Sequence, residues 1–339
     1  MSKIENDCYS VQASLEKIYY ETKQSMAFEA TTVDEWKTWH QSLKDKLEEL
    51  LGGFPKRDPL EPQILETEDC CDYIREKVVF NADHGLKIPT YFLIPKGLKG
   101  PVPGILALHG HGDGKINICD IDFGEEKFRK RIEEFDYAYA VEMVREGYAV
   151  LAPDLRCFGE LDADETGCHK PCINAIILGT NIIALRVSDI MQCVDYMQSR
   201  SEVIGDRIAC LGLSGGGLAT LWATIFEPRI KAAVISGYFC NYKESVFDIN
   251  HCSCNYVPGI LKYAELQDIT ALIAPTPLLI QNGENDPIFP IKAVRREYTK
   301  VKSAYELLGA GEKVDIDILM NTGHKWNGKR PAEWLKKWL

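Results

Sequence analysis

Arg207-Ile208-Ala209-Cys210-Leu211-Gly212-Leu213-Ser214-Gly215-Gly216-Gly217 is the stretch that decides how this chain of 339 residues folds. An apolar, strand-like run enters Gly-x-Ser-x-Gly, and a helical pattern reaching Phe226 follows at once. Glycines on both sides let the backbone take a strained turn that lifts the serine hydroxyl above the edge of a sheet and leaves room for a substrate. The plainer reading is a glycine-rich turn in which Ser214 only caps the helix. The strand-to-helix setting favours Ser214 as a nucleophile.

Outward from that stretch the pattern alternates. Lys77 to Phe80 and Lys87 to Ile94 flank Asp83-His84-Gly85, the signature of a hairpin that opens a sheet with an antiparallel pair. Gly104 to Leu108, Ala149 to Ala152, Arg207 to Leu213, Ala232 to Ile235, Leu278 to Gln281 and Val314 to Leu319 are apolar on both faces, as strands buried on both sides of a parallel sheet are. Helical segments separate them at Tyr137 to Glu146, 175 to 199, Gly217 to Phe226, Ala293 to Leu308 and Ala332 to Leu339. The pattern predicts an α/β fold, a mostly parallel, doubly wound sheet of about eight strands with helices on both faces. Residues 1–70 read as a helical appendage and linker: Ser14 to Tyr20 and Thr32 to Leu51 have helical spacing, Gly52-Gly53 stops the second helix, and no strand pattern precedes Lys77. Residues 71–339 form the main domain, in which about 237–275 fits no strand and is a candidate cap.

Serine is a poor nucleophile at neutral pH, so it needs a base within hydrogen-bond reach and a third group to fix that base's tautomer. On this type of sheet the acid and then the histidine follow the nucleophile, each just after a strand. Only His251 and His324 lie downstream of Ser214; His324 follows the last strand in Asn321-Thr322-Gly323-His324, whereas His251 sits in the presumed cap. His324 is therefore the favoured base. Asp286, on the turn Asn282-Gly283-Glu284-Asn285-Asp286-Pro287, is the favoured acid, with Glu284 the second candidate and an ordinary turn aspartate the structural reading. A developing oxyanion needs two backbone donors. Gly215 would give one, and His109-Gly110-His111-Gly112-Asp113-Gly114 the other, through His111 or, next in order, Gly112. His109 reads as a structural histidine at the strand end.

The formal charge of −11 and the absence of a basic run argue against a nucleic-acid or anionic-membrane partner. Met1 to Asp7 carries no export signal, and the most apolar later stretch, Ile173 to Val187, is interrupted by Asn174, Gly179, Thr180, Asn181 and Arg186. A cytoplasmic protein is expected, with a small-molecule ester as partner and the N-terminal helices offering a contact for a homo-oligomer. Twelve cysteines are expected to be reduced thiols. Cys168-His169-Lys170-Pro171-Cys172 and His251-Cys252-Ser253-Cys254 could each supply metal ligands, but neither has two clean ligand pairs. No metal or organic cofactor is expected, and a structural zinc is the secondary reading.

With these residues in place, the chain resembles the α/β-hydrolases of the dienelactone-hydrolase and acetylxylan-esterase type. The matching segments are His109-Gly110-His111-Gly112, Pro153-Asp154-Leu155-Arg156 with Phe158-Gly159-Glu160, Gly212 to Gly216, the Asp286 loop and Gly323-His324. Leu51-Gly52-Gly53-Phe54-Pro55 looks like the end of a leader found in a bacterial branch of that group. The likeness covers nearly the whole chain. It implies the α/β-hydrolase fold, Ser214, Asp286 and His324 as triad, Gly215 and His111 as oxyanion donors, and short acyl esters, such as acetyl groups on a carbohydrate or small metabolite, as substrates. Dienelactone hydrolases proper use a cysteine nucleophile, so Ser214 points to the esterase side. Cys157 stands where relatives have glycine and is read as a small buried thiol, while Asp154 and Arg156 look like a structural ion pair. Two other readings stand beside this one. A peptidase of the prolyl-oligopeptidase kind shares the triad order but normally carries a large propeller, for which residues 1–70 are too short. A binding protein that kept the fold and lost the chemistry would lack a triad member, and all three are present.

Overall fold

The computed structural model describes residues 9 to 339, so Met1 to Asp7 lies outside the described residues. Nine strands form one sheet: β1 (Gln63–Asp69), β2 (Tyr73–Asn81), β3 (Lys87–Pro95), β4 (Val102–Leu108), β5 (Ala149–Pro153), β6 (Val203–Leu213), β7 (Ile230–Ser236), β8 (Leu278–Gly283) and β9 (Val314–Leu319). Their order is β1-β2-β3-β5-β4-β6-β7-β8-β9. The first three pairings are antiparallel, and from β5 to β9 every pairing is parallel.

The alternation of side chains along β6 shows how the layers are built. Ala209, Leu211 and Leu213 share a core with Tyr139, Val144, Trp334 and Leu335 on one face of the sheet. Ile208 and Cys210 share another with Ile190, Cys193, Val194 and Ala219. Successive residues of a strand point to opposite faces, so a strand covered by helices on both sides must be apolar throughout, as this one is. No single helix among the described residues is long and apolar enough to cross a membrane; the Ile173 to Val187 stretch spans the helices His169–Ile177 and Ile182–Ser199, which meet at 99°.

Two expectations for residues 1–70 need correction. The segment is not wholly helical, because β1 joins the sheet edge and raises the strand count from about eight to nine. All seven of its residues are exposed, so burial imposes no period on its sequence, and Glu66, Glu68 and Asp69 instead charge an open edge. Nor is the helix Val33–Leu51 a loose appendage. Thr32 and Glu35 form a capping box at its start, and Gly52, in the left-handed conformation, ends it. Leu43, Leu47 and Leu51, four residues apart, are fully buried in the core that holds Ile183, Leu218, Trp222 and Phe226. At roughly 2 kcal/mol for each buried leucine, the main domain depends on this helix. The preceding helix Val11–Glu21 buries nothing and leaves Val11 75% exposed and Ile18 56% exposed. The segment 237–275, between β7 and β8, contains no strand; it consists of short turns and the helix Leu266–Ala271, with Cys254 and Ile269 fully buried.

Candidate active site

Parallel pairing puts the C-terminal ends of β6, β7, β8 and β9 on one edge: Leu213 lies opposite Ser236, Ser236 opposite Gln281, and Gly283 opposite Leu319. Ser214 leaves β6 at φ +59° and ψ −117°, a backbone conformation that costs a non-glycine residue about 1–3 kcal/mol. Its amide donates to Ser236 O at 2.9 Å, and its carbonyl accepts from Leu218 N at 2.9 Å. A side chain on Gly216 would run into the carbonyl of Leu108, and one on Gly212 would meet Leu108 O and the backbone of Gly216. Glycine at these two positions lets the helix Gly215–Phe226 start directly against β4 and β6. Ser214 makes no side-chain capping bond to that helix, so the reading of Ser214 as a plain cap is not what the fold uses.

Asp286 and His324 meet on the same edge. His324 Nδ1 lies 2.7 Å from Asp286 Oδ2. The other carboxylate oxygen, Oδ1, accepts from the amides of Ile288 at 2.8 Å and Phe289 at 3.2 Å. Three bonds therefore hold a fully buried carboxylate in one orientation. With the Nδ1 proton given to Asp286, Nε2 carries the lone pair a base requires. That atom is buried and has no partner among the described residues. A methyl group on Gly237 would touch both His324 Cε1 and Leu213 Cδ1, each at 2.9 Å, so the imidazole rests beside the residue preceding Ser214. Phe289 and Phe135 flank the ring, with centroids 6.0 and 6.4 Å away. The other two candidates are engaged elsewhere. Glu284 accepts from Asn321 N at 2.9 Å, and His251 Nε2 lies 3.1 Å from Ser245 Oγ, its pKa held below the usual range by burial.

The loop after β4 approaches the elbow closely. A methyl group on Gly215 would sit 2.9 Å from His111 Nδ1 and 3.5 Å from the His111 amide nitrogen. The Gly215 and His111 amides thus converge, and neither has an acceptor among the described residues. Gly112, the second choice, lies farther along, against Asn117 and Arg131. His109 has a structural place: Nδ1 donates to Gly110 O at 2.7 Å and Nε2 accepts from Leu155 N at 2.9 Å. Complete burial pushes its pKa down to about 4, keeping this neutral tautomer.

Asp154 and Arg156 are not partners of each other. Asp154 accepts from Lys115 Nζ at 2.6 Å and from the amides of Lys115 and Glu160. Arg156 pairs with Asp189 at 2.7 Å and with Asp83. The expected single pair is two buried networks, and Lys115, which was not singled out, anchors one of them. Cys157 is buried at φ +75°, a left-handed conformation that explains why glycine would suit the position. The two cysteine-rich segments, read separately above, come together: Cys168, Cys252 and Cys254 cluster with His111. Cys172 and His251 fall outside this group, and His169 Nδ1 lies instead 2.7 Å from Ser253 Oγ.

Comparison with known proteins places this geometry. The family model described as Abhydrolase family matches residues 5–329. A provisionally named hydrolase of Bacillus subtilis (strain 168), YtaP, is 29% identical over 307 residues, spanning 87% of this chain and 98% of the relative. Among solved structures, a Bacteroides fragilis protein provisionally described as an acetyl xylan esterase superposes with a TM-score of 0.78 at 22% identity, covering 91% of this chain and 82% of the other. A glucuronoyl esterase from Solibacter usitatus gives a TM-score of 0.71 at 15% identity, covering 92% of this chain and 96% of the other. At such identities the structural likeness bears on the fold.

Proposed function

The chain belongs to the Abhydrolase family and has the α/β-hydrolase fold, and on that premise we propose that it is a serine carboxylic ester hydrolase with Ser214 as nucleophile, His324 as base and Asp286 as the group that orients the base. The observation that carries this reading is the Asp286–His324 pair at 2.7 Å, with an unpartnered Nε2 beside the strained turn at Ser214. Short acyl esters of a carbohydrate or small metabolite, acetyl esters above all, are the proposed substrates. The acetyl xylan and glucuronoyl esterases with the same fold support the class of substrate.

The reaction runs in two halves. Ser214 Oγ attacks the ester carbonyl carbon while His324 Nε2 takes its proton, and Asp286 stabilises the imidazolium through Nδ1. The carbonyl oxygen, now negative, accepts from the Gly215 and His111 amides, each such donor being worth about 10²–10³ in rate. The tetrahedral intermediate collapses, the alcohol leaves with the proton from Nε2, and water repeats the sequence on the acyl-enzyme.

A fluorophosphonate probe tests the nucleophile: it should label the parent protein and leave Ser214→Ala unlabelled. Equal labelling of the two removes Ser214 from the mechanism. A parallel screen of p-nitrophenyl acetate, acetylated sugars and proline-containing peptide amides tests the substrate class. Turnover of the amides alone would replace the esterase reading with a peptidase one, and neither labelling nor turnover would leave a binding protein.

A further inference from the structure

Three thiols and one imidazole, carried by three different connections, meet beside the oxyanion loop. His111 follows β4, Cys168 stands at the start of the helix His169–Ile177, and Cys252 and Cys254 belong to the segment between β7 and β8. One ligand atom from each lies within 4.8 Å of every other, and His111 Nε2 is 3.3 Å from Cys254 Sγ. A tetrahedral zinc site with Zn–S near 2.3 Å and Zn–N near 2.0 Å spaces its ligand atoms roughly 3.5–3.8 Å apart. The four groups already approach that spacing, and Cys254 and Cys168 are buried.

We propose that His111, Cys168, Cys252 and Cys254 form a closed Cys₃His site for a soft divalent metal ion, zinc in the first instance.

A second observation points to the same occupant. Arg186 is 1% exposed, yet no carboxylate among the described residues lies within salt-bridge distance of it. Its Nη2 donates to Arg156 O at 2.7 Å and to Cys168 Sγ at 3.3 Å, while Nη1 is buried without a partner. A buried guanidinium without a counter-charge is expensive. Three thiolates, one neutral imidazole and a divalent cation carry a net charge of minus one, and Arg186 already touches one of those sulfurs. Its guanidinium then acts as an outer-shell donor to a ligating sulfur, a regular feature of thiolate metal centres. A disulfide would serve less well: it consumes two of the three thiols and leaves no anion beside Arg186.

Four protein ligands leave no open coordination position, so the ion is structural. Through Cys252 and Cys254 it ties the covering segment to Cys168, and through Nε2 it fixes the ring of His111, whose Nδ1 side lies against Gly215. The metal site stands on its own ligands. Only its effect on turnover rests on the proposed esterase function.

The test uses the full-length chain without a histidine tag, purified under reducing conditions from zinc-supplemented medium and desalted. Metal analysis should return close to one zinc per chain. Cys252→Ser and Cys254→Ser should each lose it, while Cys71→Ser, on the exposed turn before β2, keeps it. Less than a tenth of an equivalent in the parent, a disulfide among Cys168, Cys252 and Cys254, or full retention in both serine variants overturns the proposal. Should those variants fail to fold, cobalt substitution of the parent decides: tetrahedral d–d bands with sulfur-to-cobalt charge transfer support the site, and a spectrum lacking sulfur ligation overturns it. A strong chelator should lower the melting temperature by about 5 °C or more, reversed by zinc and not by magnesium. An unchanged melting curve after complete removal of zinc would show that the ion is not structural. Loss of p-nitrophenyl acetate hydrolysis with zinc still bound would count against the esterase reading and leave the metal site standing.

Discussion

The sheet edge and the segment that covers it hold their chemical groups in place by opposite means. Ser214, Asp286 and His324 each follow the end of a parallel strand, so their relative positions come from the ladder that sets Leu213 beside Ser236, Ser236 beside Gln281, and Gly283 beside Leu319. Cys168, Cys252 and Cys254 reach His111 from connections that share no ladder, and only their side chains bring them together. Backbone hydrogen bonding therefore builds the first group with the fold, whereas packing and any bound ion complete the second. Damage to the edge should remove chemistry and spare the fold; damage to the covering segment should loosen both a little.

The largest effect should come from the orienting carboxylate. Asp286→Asn keeps an oxygen to accept from the Ile288 and Phe289 amides but cannot hold the imidazole in the same tautomer. We expect kcat for an aryl acetate to fall by about 10³–10⁴ while circular dichroism and melting temperature stay close to the parent's. A comparable loss of melting temperature would mean that the edge is not separable from the fold. Next in size is a purely steric change. Gly216→Ala pushes a methyl into the Leu108 carbonyl at the point where the helix meets β4. A cost of about 3 kcal/mol, or a melting temperature lower by roughly 6–10 °C, is expected in a thermal scan. An unchanged melting temperature would contradict the close approach of helix and strand.

The same contrast explains what the sequence revealed. Six both-faces-apolar runs and a Gly-x-Ser-x-Gly between strand and helix made the parallel sheet legible, and strand order then dictated where a base and an acid had to be sought. β1 was invisible because none of its seven residues is buried, and an exposed strand carries neither alternation nor an apolar run. Lys115 and Asp154 stand 39 residues apart and carry no local signal of their ion pair, which is why Asp154 was assigned to the nearby Arg156 instead. His111 and Cys254 are separated by 143 residues. Each cysteine segment looked incomplete as a ligand set because half of the set lay in the other segment and one member in the oxyanion loop. Spacing rules work within an element; tertiary convergence lies beyond them.

Two substitutions sharpen the comparison at its smaller end. His111→Ala keeps the backbone amide proposed to bind the oxyanion but removes the ring that joins the loop to the covering segment. A loss of about tenfold, mainly in kcat, fits a donor that has become less well placed, because the amide acts on the transition state. A loss of a thousandfold would bring the ring itself into the chemistry and break the division between the two regions. The smallest change belongs to the rival acid. Glu284 sits two residues before Asp286 on the same turn, yet its carboxylate accepts from the Asn321 amide and makes no bond to His324. Glu284→Gln retains an oxygen for that amide, so kcat/KM should stay within about threefold of the parent, the range of a substitution that leaves transition-state contacts intact. If steady-state kinetics instead showed Glu284→Gln as damaging as Asp286→Asn, the turn after β8 would orient the base through both carboxylates, and the assignment of a single acid at Asp286 would fall.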